Sequence, residues 1–398
     1  MNGSEIVINL ENIRQRSIMF EKIVRFIREI FNTDGVIPLH EPKFISNEKK
    51  YLNECIDSTY VSYAGAFVER FETMVSDFTG SRFAVSTANG TLALHLALMI
   101  EGVRPGDEVL TQALTFVATA NAISHCGARP IFIDCDRNTL GMSPQKLQEF
   151  LEENALLGDD GICYNKKTGE KVAACIPVHV FGHPAEIRDI KGICDSYRIP
   201  IIEDAAESLG SFLTGKHTGT FANLGILSFN GNKVITTGGG GMVITDDEKL
   251  AGKARHIATT AKVGDSWKFI HDEIGFNYRL PNINAAIGCA QMEKIHTFLE
   301  NKRELALIYK EFFGNMGIEF FVEKGGCRSN YWLNTIILKD RAQRDEFLEY
   351  AHKNNIMSRP AWALLNTLPM YTDCERDDLG NSRWLQDRIV NLPSSVRI

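Results

Sequence analysis

The sequence has no apolar run of about eighteen residues free of charge, so a membrane-spanning helix is not expected. Its first stretch, MNGSEIVINLENIRQ, lacks the basic start and apolar core of a signal peptide, and a cytoplasmic location is the expectation. Positive charge is not in excess: 43 Lys and Arg against 50 Asp and Glu leave a net charge of −7. Nucleic acid is therefore not an expected partner. The nine cysteines form no C-x-x-C pair, and the ten histidines include no H-E-x-x-H pair. An odd number of thiols without metal spacing predicts reduced, mostly buried cysteines, and no metal site is expected. No internal repeat or low-complexity segment stands out.

With 398 residues, 44% of them hydrophobic and 23% charged, the chain is long enough for a large domain and a smaller one. Residues 17–31 place Phe20, Ile23, Val24, Ile27, Ile30 and Phe31 at helical spacing opposite charges of both signs. That mixed polar face predicts packing onto this subunit or a partner rather than onto a membrane. Strand signals at 83–86, 107–110, 130–134 and 173–180 alternate with helical ones, which implies an α/β fold with a mostly parallel sheet flanked by helices. Residues 154–171 read as an exposed hairpin or loop. A long helix starting within 285–299 is expected to lead into a smaller α+β domain with strands near 331–338, a helix at 343–354 and a mobile stretch at 359–371. The expected division is an arm at 1–36, a large domain at 37–284 and a small domain at 285–398.

The chemistry concentrates in residues 225–247, GILSFNGNKVITTGGGGMVITDD. Lys233 lies between a small-polar turn and a β-branched run ending in four glycines. An amine on a tight turn between buried strands is a candidate covalent nucleophile, because desolvation can lower its pKa; a surface lysine on a hairpin is the alternative. The stretch PIIEDAAESLG, residues 200–210, reads as an apolar strand ending at Glu203 and Asp204. Ligands of open α/β sheets bind at such strand ends, so Asp204 is placed to face one, whereas a helix N-cap is its plainer use. A strand-end carboxylate and a turn lysine together suit pyridoxal phosphate, the first holding the ring nitrogen and the second the aldehyde carbon.

These stretches, with ANGTLAL, TFVATANAI, PVHVFG and GFNYRLPNINAAIG, resemble the DegT/StrS family of pyridoxal-phosphate sugar aminotransferases, from residue 37 to the C-terminus. The resemblance implies the aspartate-aminotransferase-like (type I) fold. It also implies that Lys233 is the catalytic, cofactor-bearing residue and that Asp204 faces the pyridine nitrogen. Gly90, Thr91 and Ser228 would then hold the cofactor phosphate, with Gly90 and Thr91 opening a helix whose dipole attracts anions. Phe116 falls where the family stacks an aromatic ring on the pyridine, and Glu207 where it often has glutamine near the ring oxygen. Asn277 matches an asparagine that reaches the phosphate of the neighbouring subunit, implying a homodimer with shared active sites. Read alone, the Gly90-Thr91 pair is a plain turn, Phe116 core and Asn277 a turn residue.

The implied reaction moves the amino group of L-glutamate to C4 of a nucleotide-linked 4-keto-6-deoxy sugar, for surface polysaccharide or nonulosonic acid biosynthesis. Gly239 stands where the family pattern TTGEGG has glutamate, and with the NGNK turn this resembles the legionaminic-acid-type branch. The expected substrate is UDP-2-acetamido-2,6-dideoxy-hexos-4-ulose. The alternative is GDP-4-keto-6-deoxymannose, since the perosamine branch also has a GNK turn. A 3-dehydratase would resemble this pattern with histidine in place of Lys233, and a non-catalytic regulatory relative would lack the lysine or the aspartate. Tyr331, Trp332, Asn334 and Arg359 are candidate substrate contacts.

Overall fold

The computed structural model describes residues 3–264 and 267–398, with side chains from residue 16 onward. A three-stranded and a four-stranded segment form the central sheet, in the order Arg129–Ile133, Glu108–Gln112, Val172–Ile176, Ile202–Asp204, Leu224–Ser228, Gly241–Thr245 and Phe83–Thr87. The segments join through parallel bridges between Cys175 and Ile201 and between Val178 and Asp204. Of these strands only Gly241–Thr245 runs against its neighbours. The sheet is thus mostly parallel, and its strands are apolar on both faces because helices cover both.

Strand alternation divides the core. Val85, Ile226 and Val243 pack under helices Gly90–Ile100 and Glu248–Ala258, while Ala84, Leu227 and Met242 pack under Ala66–Thr79 and Asn282–Met292. Helix starts follow their caps. Asn89 Oδ1 accepts from Leu92 N–H at 2.9 Å, and Asp247 Oδ1 accepts from Lys249 N–H at 2.7 Å.

A second, antiparallel sheet orders Glu319–Phe320, Asn334–Ile337, Ile389–Leu392 and Arg359–Pro360. Helices Ile295–Asn315 and Arg341–Lys353 pack on it. The N-terminal helix Gly3–Phe31 closes this layer from outside: Phe20, Ile23, Val24 and Ile27 are buried with Tyr309, Phe313, Phe347 and Ala351, and Phe26 stacks on Phe312 at 3.6 Å. Each fully buried side chain of this kind contributes about 1.5–3 kcal/mol. The apolar face is spent on the chain's own second layer. No helix among the described residues is long and apolar enough to cross a membrane.

Two segments differ from expectation. The single helix expected from 285 is two, Asn282–Met292 and Ile295–Asn315, because Lys294 leaves the helical region with φ −115° and ψ 4°; Glu293 beside it accepts from Asn47 Nδ2 (2.7 Å) and Arg70 Nη2 (2.9 Å). The first of them packs on Glu48–Ser58 and Ala66–Thr79, so the core of the large sheet extends past residue 284. The 359–371 stretch, expected to be mobile, is packed: Leu364, Leu365 and Tyr371 are buried, and Tyr371 Oη donates to Asn121 Oδ1 at 2.6 Å. Residues 154–171 form the expected hairpin, Ala155–Leu157 with Cys163–Asn165. All nine cysteines are free, and seven are buried.

Candidate active site

The carboxyl ends of strands Ile202–Asp204 and Leu224–Ser228 and the start of helix Gly90–Ile100 converge on one cleft of about 340 Å³. Asp204 closes its strand, Ser228 closes the next, and Lys233 stands on the turn beyond. Gly90, Thr91, Phe116, Asp204, Glu207, Ser228 and Lys233 all line the cleft. Thus seven of the eight residues singled out from the sequence meet there, although they come from segments far apart in the chain.

Asp204 is buried, and its two oxygens have separate partners. Oδ2 accepts from Thr119 Oγ1 at 2.8 Å and Oδ1 from Ala206 N–H at 3.2 Å. Burial pushes its carboxyl up from the ordinary range, opposed by those hydrogen bonds and by the positive field of Lys233. Glu207 is raised for the same first reason, with Lys233 and Phe181 N–H opposing. Two buried carboxylates face one lysine here, so the cleft favours an added positive charge near Asp204.

Lys233 Nζ lies 3.5 Å from Glu207 Oε1 and 4.0 Å from the centroid of the Trp332 ring. Trp332 is itself tied to the lysine turn, its Nε1–H donating to Asn232 O at 2.6 Å. Gly238 after the turn has φ +81°, and a Cβ on Gly241 would lie 2.4 Å from Asn89 backbone atoms. Gly239, where the family pattern has glutamate, meets only ordinary contact, 3.7 Å to Ala88 O. A Cβ fits there, so glycine at 239 is not a demand of this backbone at Cβ.

At the other end of the cleft a Cβ on Gly90 would approach Ser228 Cβ and Oγ to 3.1 and 3.2 Å. The glycine therefore brings the first backbone N–H groups of a helix against a serine hydroxyl, which is an anion cradle. Phe116 is 52% exposed on the cleft wall, 6.5 Å from Trp362 by ring centroids. Its face is open to a planar ligand.

Asn277 stands apart. It is exposed, is not on the cleft wall, and accepts from Arg279 Nε at 2.9 Å. Of the candidate substrate contacts only Trp332 lines the cleft. Tyr331 is buried in the second core, Asn334 is buried on Ser394 Oγ, and Arg359 pairs with His352. Sequence reasoning missed Asn89, Thr119 and Trp362. Thr119 and Asn89 belong to TFVATANAI and ANGT, where a polar residue beside the assigned ones was the available signal; Trp362 carried none.

His179 is a satisfied core group: Nδ1 accepts from Ala185 N–H at 3.0 Å, so Nε2–H donates to Glu203 Oε2 at 3.0 Å. His183 stands four residues on, a spacing that on a helix pairs metal ligands. Here Phe181 between them has φ 55°, and the His183 ring instead packs edge-on against Phe321 and Tyr331.

The residues present fit pyridoxal phosphate. A buried carboxylate suits a pyridinium, an aromatic face a planar ring, a helix start with Ser228 a phosphate, and a lysine held over the cleft a carbonyl carbon. A family model described as the DegT/DnrJ/EryC1/StrS aminotransferase family matches residues 42–398. GDP-perosamine synthase of Vibrio cholerae is 35% identical over 90% of this chain and 94% of its own, and that of Escherichia coli O157:H7 is 36% identical over 90% and 93%. The aminotransferase TlmJ of Streptoalloteichus hindustanus superposes with a TM-score of 0.81 at 25% identity, covering 90% of this chain and 94% of its own. With that match over nearly its whole length, the chain belongs to the DegT/DnrJ/EryC1/StrS family and is a pyridoxal-phosphate-dependent aminotransferase.

Proposed function

We propose that this enzyme transfers the amino group of L-glutamate to C4 of a nucleotide-linked 4-keto-6-deoxy sugar, and that the sugar is GDP-4-keto-6-deoxymannose. The nucleotide and sugar rest on one observation: two relatives named GDP-perosamine synthase match at 35 and 36% identity across nine tenths of the chain. This reverses the order of the two substrates weighed from the sequence.

Pyridoxal phosphate supplies the electron sink that lets a C–H bond next to nitrogen ionise. The protein's own residues do the rest. Asp204, fixed by Thr119 and Ala206, holds the proton of the ring nitrogen. Gly90, Thr91 and Ser228 hold the phosphate, and Phe116 covers the ring. Lys233 Nζ, already over the cleft, removes the proton from Cα of the donor and delivers it on the other side, then reverses the order for the sugar. Trp332 and Glu207 confine that amine to one place.

The second subunit completes the site in this reading. Asn277 is exposed, and Trp267, Phe269, Ile270 and Ile274, a few residues before it in the chain, are each at least half exposed, apolar area that a second copy of the chain would cover. A competition assay with glutamate as donor, offering GDP-4-keto-6-deoxymannose and the UDP-linked N-acetyl 4-keto sugar together, tests the choice. Preference for the GDP sugar is expected; preference for the UDP sugar would restore the first order.

A further inference from the structure

Several groups face Lys233, and they differ in what they offer. Glu207 is the carboxylate in contact, with Oε1 3.5 Å from Nζ. Asp204 shares the cleft, but its oxygens are engaged by Thr119 and Ala206. The Trp332 ring covers Nζ without a titrating group. His40 lies within the field of both Lys233 and Lys302, with both ring nitrogens unpartnered, and burial first and those two cations next keep it neutral. Lys302 is tied to the Trp332 backbone, its Nζ donating to Trp332 O at 3.1 Å.

Glu207 is held for this contact. Its Oε2 accepts from Phe181 N–H at 2.8 Å, which leaves Oε1 turned to the lysine. The side chain is buried, so it has no water to replace either partner.

We propose that Glu207 is the charge partner of Lys233, a positioning residue that holds Nζ and its proton in one place and thereby sets the pH dependence of proton transfer. This rests on the reading of Lys233 as the amine that moves the proton. A carboxylate beside an ammonium favours the charged form, so the lysine keeps its proton to higher pH than it would beside an amide. No net transfer to Glu207 is involved: the proton goes from substrate carbon to Nζ and back. Glutamine at this position keeps an oxygen for Phe181 N–H and turns a neutral NH2 toward Nζ, so it removes both the charge and the acceptor that face the lysine. At 3.5 Å even the screening of bulk water leaves a shift of about one pH unit.

The test titrates the visible absorbance of the cofactor bound to wild type, Glu207→Gln and Glu207→Asp from about pH 5 to about pH 10. The midpoint in Glu207→Gln is expected about one unit lower or more, with Glu207→Asp close to wild type and the rising limb of the rate profile following the absorbance. If Glu207→Gln binds cofactor too weakly to titrate, the pH dependence of Lys233 labelling by an amine-reactive reagent, in wild type and variant without cofactor, reads the same shift. An unchanged midpoint in either measurement overturns the proposal. Lys233→Ala keeps the two readings apart: if that variant turns over normally the lysine assignment itself fails, whereas a dead Lys233→Ala with an unmoved Glu207→Gln midpoint removes Glu207 alone.

Discussion

The Thr119 hydroxyl donates to Asp204 Oδ2 at 2.8 Å, so the carboxylate that ends one strand is aimed by a helix that begins beside another. Asp204 is buried and pushed upward by burial, and this bond is one of the few interactions that favour its charged form. Thr119→Val keeps the shape and removes the donor. Hydrogen bonds to charged groups contribute about 1.5–3 kcal/mol, so cofactor affinity should fall roughly ten- to a hundredfold, readable by absorbance titration with pyridoxal phosphate. Undiminished affinity would mean that Ala206 N–H and the rest of the cleft suffice.

Lys233→Ala and Asp204→Asn should fail in different ways. Without Nζ the variant should lose turnover and the visible absorbance of the lysine-attached cofactor, while still binding it through the cradle of Gly90, Thr91 and Ser228. Asp204→Asn should keep the attachment and lose most of its rate, since an amide cannot hold the ring proton by charge. Spectra and single-turnover rates of the two proteins distinguish these outcomes. Wild-type rates in Asp204→Asn would show that another group protonates the ring.

Acid should destabilise the fold through two buried histidines. Burial lowers His183 to about 3 and His217 to about 4, from 6.5. Both are bases whose folded value is depressed, so the unfolded chain binds more protons in the interval. Their stabilisation is complete above pH 6.5 and is lost as the pH falls toward about 4 and about 3, by at most about 1.4 kcal/mol per histidine per pH unit. Asp377, raised by burial to about 6, works in the opposite direction, so the comparison must be between proteins rather than across pH alone. The His183 ring has no hydrogen-bond partner, and His183→Leu should flatten the decline in urea midpoint between about pH 6.5 and about pH 4. Equal slopes in variant and wild type would show that His183 gains its proton without unfolding.

Asp204 and Lys233 were legible because each depends on neighbours in sequence. A strand of apolar residues must end somewhere, and a turn between two strand runs must point its side chains outward. The sheet order was legible as an alternation of elements, though not as a list of neighbours. Trp362 was not legible, because it reaches the cleft only when the second layer folds back over the first, and nothing around it in the sequence differs from a buried aromatic. The helix break at Lys294 was hidden for a related reason: neither glycine nor proline marks it, and the contacts beside it, from Glu293 to Asn47 and Arg70, come from segments more than two hundred residues away. Asn277 is the residue a single chain leaves without a place, since its own cleft does not include it.

That position gives the sharpest test of a shared site. If Asn277 serves the cleft of a neighbouring subunit, Lys233→Ala and Asn277→Ala chains should each be impaired alone. In a mixed dimer, one site would combine both defects, and the other would combine an intact Lys233 with an intact Asn277 from the opposite chain. A two-fold interface makes this arrangement unavoidable. Random exchange of equal amounts makes half of the dimers mixed, so up to about one site in four should regain full activity. The measurement is turnover after subunit exchange, with mixed dimers counted by native mass. No recovery in a sample shown to contain mixed dimers would place Asn277 outside the shared site and leave its contact with Arg279 as its whole role.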